Sequence, residues 1–337
     1  MKALLPLFVA FIVCGQSLNA QVISSAFPVE PITDDLNGAL NQFLLGSGVT
    51  SGDAVSSPLS NFAIASFTGG GPYIGLDSGL VLCTAGVNGF GFSQQSTPQP
   101  DLLAVANSVP QLLGASFQVS SVNDVAEVSF DFVALGDSLS FNFVFASTEY
   151  AMFVNTAFND VFAFFLAGPG LEGPYSAPEG YPSGAINIAV VPGSNPPLPI
   201  TVSSVNAQLN SEYFINNQSA FGSPANVDFI FNGFTEVITA HANGLIPGEV
   251  YHIRLAIGDG SDNALASAVF LEAGSFTFSI TAPDSGEGDF NGDGVLDILD
   301  LLALLGQFDC TVDCTADIDG DGVVGISDLL AWLSLFD

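Results

Sequence analysis

The sequence has almost no basic residues: 2 Lys and Arg stand against 34 Asp and Glu, which gives a net charge of −32. This imbalance argues against nucleic acid and anionic membrane surfaces as partners, because both carry negative charge. Charged residues make up only 11% of the 337 residues, whereas hydrophobic residues make up 48%. A disordered polyanion lacks that apolar content. We therefore expect a folded acidic protein with one large domain and one small one.

The first 20 residues, MKALLPLFVAFIVCGQSLNA, have the pattern of a secretory signal peptide. A basic start at Lys2 precedes an apolar run over residues 3–13, and small residues lead to a cut after Ala20. Two alternatives are a retained anchor, for which the apolar run is short, and a lipoprotein signal ending at Cys14. We predict that residues 1–20 are removed, that the protein is secreted from a bacterium to the medium or the cell surface, and that no transmembrane segment then remains.

Cysteine is scarce, and processing would leave three residues of this type. Cys310 and Cys314 are close in sequence, and in an oxidising compartment we predict a disulfide between them. Half of a zinc site is the alternative, but no histidine or further cysteine lies nearby. Cys83, in the apolar run LVLCTAG, is predicted to be a buried thiol.

Residues 21–282 show strand-like alternation. In DSLSFNFVFAS, apolar residues from Leu139 to Phe145 recur at every second position, and VSFDF, AINIAVV, VDFIF and SFTFSI repeat this rhythm. Gly/Pro-rich turns separate the runs. The pattern predicts a mainly β fold, an antiparallel two-sheet β-sandwich of jelly-roll-like type. The 30 phenylalanines are interpreted as core rather than as a sugar-binding platform. One helix is predicted in DDLNGALNQFLL.

A linker at 283–288 leads to two acidic repeats at 289–337, DFNGDGVLDILD and DIDGDGVVGISD. Oxygen ligands fall at positions 1, 3, 5, 7, 9 and 12 of the first repeat, with glycine at position 6, which is the spacing of an EF-hand-like calcium loop. The second repeat has the same spacing except at position 9, where Gly325 would leave the place to a water. Empty loops would be unfavourable, because carboxylates about 4 Å apart repel by roughly 1–4 kcal/mol. We predict two bound Ca²⁺ ions. The predicted ligands are Asp289, Asn291, Asp293, Val295, Asp297 and Asp300 in the first loop, and Asp317, Asp319, Asp321, Val323 and Asp328 in the second.

These repeats resemble dockerin domains, in which each calcium loop leads directly into a helix and position 12 is Asp. The tails LLALLGQF and LLAWLSLF would supply those helices, giving a small α-helical module with two calcium loops. The resemblance implies docking to a cohesin-like or cell-envelope protein. The sequence departs from dockerins at recognition positions 10 and 11, which are Ile298 and Leu299, then Ile326 and Ser327.

Residues 25–282 resemble the choice-of-anchor L domain, a family of exported bacterial surface proteins. The resemblance rests on GLDSGLVLCTAG, on FNFVFASTEYAMFVNTAFNDVFAFFLAGPG, and on the stretch from FNGFTEV to LEAGSF. It implies that the terminal repeats take the place of the attachment signal. It does not imply a reaction.

Catalytic patterns are weak in this sequence. His241 and His252 are not visibly paired, no GxSxG motif is present, and His252 and Arg254 are predicted to lie on a solvated strand face. A second cation site is predicted at strand-end acids of the sandwich, with simple turn caps as the alternative. The family resemblance suggests a further Asp where this chain has Ala266. The residues of this second site are Glu149, Asp160, Asp259 and Asp262.

The sequence therefore predicts a secreted, non-catalytic surface or adhesion protein. Its terminal dockerin-like pair would bind calcium and mediate attachment or docking. The alternative is a carbohydrate-binding or hydrolytic component of an extracellular polysaccharide-degrading assembly, for which an extracellular glycan would be the partner.

Overall fold

A computed structural model describes residues 23–32, 35–57, 63–84, 87, 99–218, 228, 230–279, 288–291, 296–311 and 314–336. The predicted signal peptide at 1–20 lies outside these residues, as does most of the predicted linker. Within them the chain forms fourteen strands, five α-helices and short 3₁₀ turns. No helix among the described residues has the length and apolarity needed to cross a bilayer.

The strands form two sheets whose named pairings are all antiparallel. The nine-stranded sheet has the order β1-β3-β4-β13-β6-β10-β9, with β11 and β14 also paired to β6. The five-stranded sheet has the order β2-β5-β12-β7-β8. The strands are β1 Val29–Pro31, β2 Val55–Ser57, β3 Ile64–Thr68, β4 Ser78–Cys83, β5 Val122–Val133, β6 Ser138–Ser147, β7 Val161–Ala167, β8 Ile186–Asn187, β9 Phe214–Asn216, β10 Gly233–Thr235, β11 Ile238–Asn243, β12 Val250–Gly260, β13 Ser267–Glu272 and β14 Thr277–Ser279.

The main core consists of aromatic and aliphatic side chains from both sheets. Phe143 on β6 packs against Phe164 on β7 with ring centroids 5.1 Å apart, and Phe145 stacks on Phe162 at 5.0 Å. Buried and partly exposed residues alternate along β6 from Ser138 to Phe143, as the sequence predicted, and every residue from Phe143 to Ser147 is buried. The prediction of a mainly β protein with two antiparallel sheets is confirmed, and the arrangement is consistent with a β-sandwich. The jelly-roll topology stays a prediction.

The predicted early helix is present as α1, Leu36–Phe43. The side chain of Asp35 caps it, because its Oδ1 accepts a 2.8 Å hydrogen bond from the Gly38 amide. Two predicted strands differ from expectation: AINIAVV contributes only β8, and most of VDFIF lies outside the described residues or is irregular.

A longer helix, α3 Pro100–Leu113, was missed by the strand-like interpretation of residues 21–282. It begins with proline and ends at Gly114, which has a left-handed conformation. Its buried face, including Leu102 and Val105, forms a second core with Phe165 and Ala256 of the five-stranded sheet. This sheet is therefore covered on its outer side as well.

The carboxyl-terminal residues form α4 Ile298–Leu305 and α5 Ile326–Leu333. The remaining helix of the described chain, the short α2 Gly71–Ile74, lies between β3 and β4. Each terminal helix follows an acidic repeat. They share a small core of Leu296, Leu304, Ala316, Val324 and Trp332. The indole Nε1 of Trp332 donates a 3.0 Å hydrogen bond to the carbonyl of Gly288.

Candidate functional site

The second acidic repeat brings three predicted ligands together. Oxygens of Asp317, Asp319 and Asp321 all lie within 4.8 Å of one another. One ion with metal–oxygen distances of about 2.4 Å spans such a set, so these residues fit Ca²⁺. Backbone amides hold the carboxylates in place: those of Gly320 and Gly322 donate to Asp317 at 2.9 and 3.0 Å. Gly322 has φ of +91°, a conformation that a side chain would strain.

The position-12 acids close the loops through hydrogen bonds. Asp328 is fully buried, and its two carboxylate oxygens accept from the amides of Ile318 at 2.7 Å, Asp319 at 3.2 Å and Gly325 at 2.7 Å. These bonds, that of Gly325 first, hold the pKa of Asp328 below its ordinary value despite burial. Oδ1 accepts two of these bonds, whereas Oδ2 accepts only that of Gly325 and keeps a second lone pair, through which Asp328 can still contact a cation.

In the first repeat, Asp300 makes the same hydrogen bonds as Asp328 does in the second. Its carboxylate accepts from the amides of Phe290 and Asn291 at 2.8 and 3.1 Å, and from that of Asp297 at 2.9 Å. Burial opposes ionisation of Asp300, but the hydrogen bonds prevail and lower its pKa. Asp297 is at the start of α4 and caps it by accepting from Leu299 at 2.7 Å.

Two predicted ligands of the first loop, Asp293 and Val295, lie outside the described residues, whereas Asp289 and Asn291 lie within them. In the second loop Val323 follows the three acids and donates its amide to Asp321 at 2.9 Å.

The two repeats are tied to each other at several points. Asp309 donates its amide to the carbonyl of Val324 at 2.9 Å, and Val324 donates back to Cys310 at 3.0 Å. Cys310 and Cys314 are joined by a disulfide. The pairing places the two acidic loops in one unit rather than in two independent turns.

The two terminal helices expose corresponding apolar residues. Ile298 and Ile326 are 61% and 67% exposed, and Leu302 and Leu330 are 58% and 61% exposed. Leu305 and Leu333 extend the same pattern. Because the positions recur in both repeats, this surface, which we call the duplicated apolar face, is part of the repeat design rather than a scatter of exposed side chains.

The structure also brings together three of the four acids predicted for the second cation site. Glu149 lies two residues after β6, Asp160 directly before β7, and Asp259 near the end of β12, and each is no more than 2% exposed. We call these three residues the buried acid cluster. Asp262 lies at its edge, partly exposed, with its carboxylate accepting from the amide of Ala264 at 3.2 Å.

Burial disfavours ionisation throughout this cluster. It raises the pKa of Glu149 to about 9, with the charges of Asp160 and Asp262 adding to the effect. It raises the pKa of Asp160 to about 7, although hydrogen bonds from Ser267 and Gly260 oppose the shift. The pKa of Asp259 is also raised well above its ordinary value, by burial and then by the charge of Asp160.

Sequence reasoning missed Asp124, another buried acid, which lies on β5. The charge of Asp124 further raises the pKa of Asp259. Its signal was an acid at an inward-facing position of the alternating run VNDVAEV.

The solvated strand face predicted for Arg254 is wrong. Its side chain is only 19% exposed, bridges Asp101 at 2.5 Å and Glu127 at 3.6 Å, and its guanidinium carbon lies 4.3 Å from the ring centre of Phe165. Helix α3, which supplies Asp101, covers this part of the sheet. His252 on the same face contacts Asp131 at 2.7 Å.

A pocket of about 290 Å³ opens beside these residues. It is lined by Glu127, Ser129, Phe165, Ser176, His252 and Arg254, among others. Burial raises the pKa of Glu127, although the Arg254 charge opposes the shift. The pocket therefore combines one fixed cation, Arg254, with a carboxyl group, two hydroxyl groups and an imidazole.

The model of the family described as "Choice-of-anchor L domain" matches residues 35–277, more than two thirds of the chain. The matched range includes nearly all of both sheets and ends before the acidic repeats. No curated protein matches the chain.

Proposed function

The chain belongs to the choice-of-anchor L domain family, and we propose that its terminal repeats bind two Ca²⁺ ions and attach this cell-surface protein to a protein partner. Family membership indicates a cell-surface protein and favours a non-catalytic surface domain. The dockerin-like interpretation, the calcium ions and the docking role are parts of the proposal. The division into a domain at 21–282 and a module at 289–337 is likewise proposed.

The calcium proposal is supported by the clustered oxygens of Asp317, Asp319 and Asp321. In the second repeat these three would hold the ion, with Val323 and Asp328 completing the set, and Asp289, Asn291, Asp293, Val295, Asp297 and Asp300 would do so in the first. The bound ion would supply charge neutralisation to loops whose own small core contributes only modest stability.

The docking proposal is supported by the duplicated apolar face. The partner would be a cohesin-like or cell-envelope protein that presents an apolar surface, because the terminal module contains no Lys, Arg or His with which to recognise an acidic one. Burying Ile298, Leu302 and their counterparts would contribute favourable free energy of about 25 cal/mol per Å² of apolar surface.

The chain has built-in reporters for testing calcium binding. Its single tryptophan is in the terminal module, and all six tyrosines precede residue 283. Titration of the full chain with Ca²⁺ should change Trp332 fluorescence and reach two ions in these loops. Asp321→Ala should remove one of them, while Asp309→Asn, an exposed residue of the same module, should leave both. An unchanged Trp332 signal and unchanged stoichiometry in Asp321→Ala would refute the assignment.

Docking needs a separate variant that keeps calcium binding. Leu302→Gln with Leu330→Gln should leave the calcium response of Trp332 intact but abolish calcium-dependent retention on the envelope of the producing cell. The control is Leu112→Gln, a 41% exposed leucine of α3. Equal retention of both variants would refute the duplicated apolar face as the contact, and calcium-dependent dimers in ultracentrifugation would identify a second copy as the partner.

A second candidate function, glycan binding, is favoured by the pocket beside Arg254. Its polar side chains, among them Glu127, Ser176 and Arg254, are groups that bind sugar hydroxyls. Ala177→Trp should fill the pocket and remove binding to extracellular polysaccharides, whereas Met152→Trp, at a 71% exposed position, should not. Equal binding by both variants would exclude this pocket. Hydrolysis abolished by Glu127→Gln would instead identify an enzyme.

A further inference from the structure

Among the described residues, no cation is available to neutralise the buried acid cluster when its acids ionise. Arg254 is engaged by Asp101 and Glu127. The only other Lys or Arg in the sequence, Lys2, lies outside the described residues and within the predicted signal peptide. His252 contacts Asp131, and His241 is exposed on β11. Any positive charge beside Glu149, Asp160 and Asp259 must therefore come from solution, as protons or as a metal ion.

Two oxygens of the cluster lack a hydrogen-bond partner among the described residues. They are Oε2 of Glu149 and Oδ1 of Asp259, both fully buried. Burying such an atom without a partner is costly, and native proteins rarely leave it so unless something else occupies it. The remaining acid is well supported: Asp160 accepts from the Ser267 hydroxyl at 2.6 Å and from the Gly260 amide at 2.9 Å.

We infer that the buried acid cluster is a Ca²⁺ site of the sandwich domain, separate from the terminal repeats, with Glu149, Asp160 and Asp259 as ligands. The donors are all carboxylate oxygens, which select a hard cation over a transition metal. Three carboxylates around one dication leave little uncompensated charge compared with three buried carboxylates alone. Asp262 lies at the edge of the site, where it would attract the ion rather than bind it.

The site would link the two sheets. Glu149 follows β6 of the nine-stranded sheet, whereas Asp160 directly precedes β7 and Asp259 lies on β12, both of the five-stranded sheet. As the side chains stand, the oxygens of the cluster are not all within 4.8 Å of one another; among the described residues only the Asp317 group meets that distance. Binding would therefore require the carboxylates of Glu149, Asp160 and Asp259 to move closer together.

The test uses the full chain with both terminal loops disabled by Asp293→Ala and Asp321→Ala. Calorimetry should still find one Ca²⁺ per chain, and tyrosine-monitored unfolding of the sandwich should shift to higher denaturant with Ca²⁺. Adding Glu149→Gln or Asp259→Asn should weaken this binding by at least about 10-fold. Glu249→Gln, an exposed acid, should not affect it.

Stability in chelator shows whether a variant loses calcium binding because it misfolds. In chelator, Glu149→Gln should be at least as stable as its parent, because it replaces a buried acid with a neutral group of the same shape, while it should lose the stabilisation by Ca²⁺. No calcium binding in the loop-disabled chain, with stability independent of Ca²⁺, would overturn the site and leave protons as the neutralising charge. Tighter binding of Mg²⁺ than of Ca²⁺ would overturn the choice of ion. The Trp332 signal reports on the terminal loops separately, so either proposal can fail alone.

Discussion

Replacement of Asp328 by Asn should nearly abolish the stability of the terminal module. The carboxylate accepts three backbone hydrogen bonds, from Ile318, Asp319 and Gly325. Asparagine keeps one acceptor oxygen for the first two, but its amide nitrogen cannot accept from Gly325. Hydrogen bonds to a charged group contribute about 1.5–3 kcal/mol each, and neutral ones about half as much. Losing one and weakening two amounts to about 3–6 kcal/mol.

That loss is comparable with the whole stability of such a module, since a small single core rarely supplies more than roughly 3–5 kcal/mol. Two calcium ions at 100 times their dissociation constants would add about 2.7 kcal/mol each. We therefore expect Asp328→Asn to be unfolded in chelator and folded, but with a lower urea midpoint, in saturating Ca²⁺.

The assay is urea unfolding followed by Trp332 fluorescence, with tyrosine emission as the record of the sandwich. Asp309→Asn makes the same chemical change at an exposed position with φ of +64°, which asparagine tolerates, and should have little effect. If Asp328→Asn shifted the midpoint no more than Asp309→Asn, the hydrogen bonds at position 12 would not be what holds the repeat together.

Three further outcomes are expected. In chelator the urea midpoint of the sandwich should fall as pH rises from about 5 toward 9. The reason is that the folded-state pKa of Glu149 is raised to about 9, so the folded state favours the protonated form. A midpoint that did not change with pH would contradict this. The terminal module should respond oppositely, losing stability only in acid, because the pKa of Asp328 is lowered. Replacing Cys310 and Cys314 by Ser should cost the module about 2 kcal/mol, since the bridge closes a short loop, and the Trp332 unfolding curve measures it.

The strand pattern of the sandwich could be predicted, because burial on one face of a strand imposes a period of two on the sequence. The run from Leu139 to Phe145 shows this, and α1 was predicted from its helical spacing. Helix α3 could also have been found: Leu102, Val105, Ala106 and Val109 recur at helical spacing between a proline and a glycine. It was missed because the surrounding alternation dominated the interpretation.

The candidate sites differ in how far the sequence can specify them. The ligands of a terminal loop lie within twelve residues, so their spacing alone predicts their proximity. The buried acid cluster joins Asp259 to Glu149, which is 110 positions earlier, and only the order of strands in the two sheets brings them together. The partners of Arg254 were unpredictable for the same reason, since Asp101 comes from α3.

Because Arg254 is enclosed, the electrostatic potential at the surface of the sandwich is negative. With that guanidinium held between Asp101 and Glu127, the described surface presents carboxylates and no fixed cation to oppose them. Copies of the protein would repel one another in dilute buffer and approach more closely as salt shortens the Debye length. Such a surface would raise the local concentration of divalent cations, so the rate at which these cations encounter a specific site should rise as ionic strength falls.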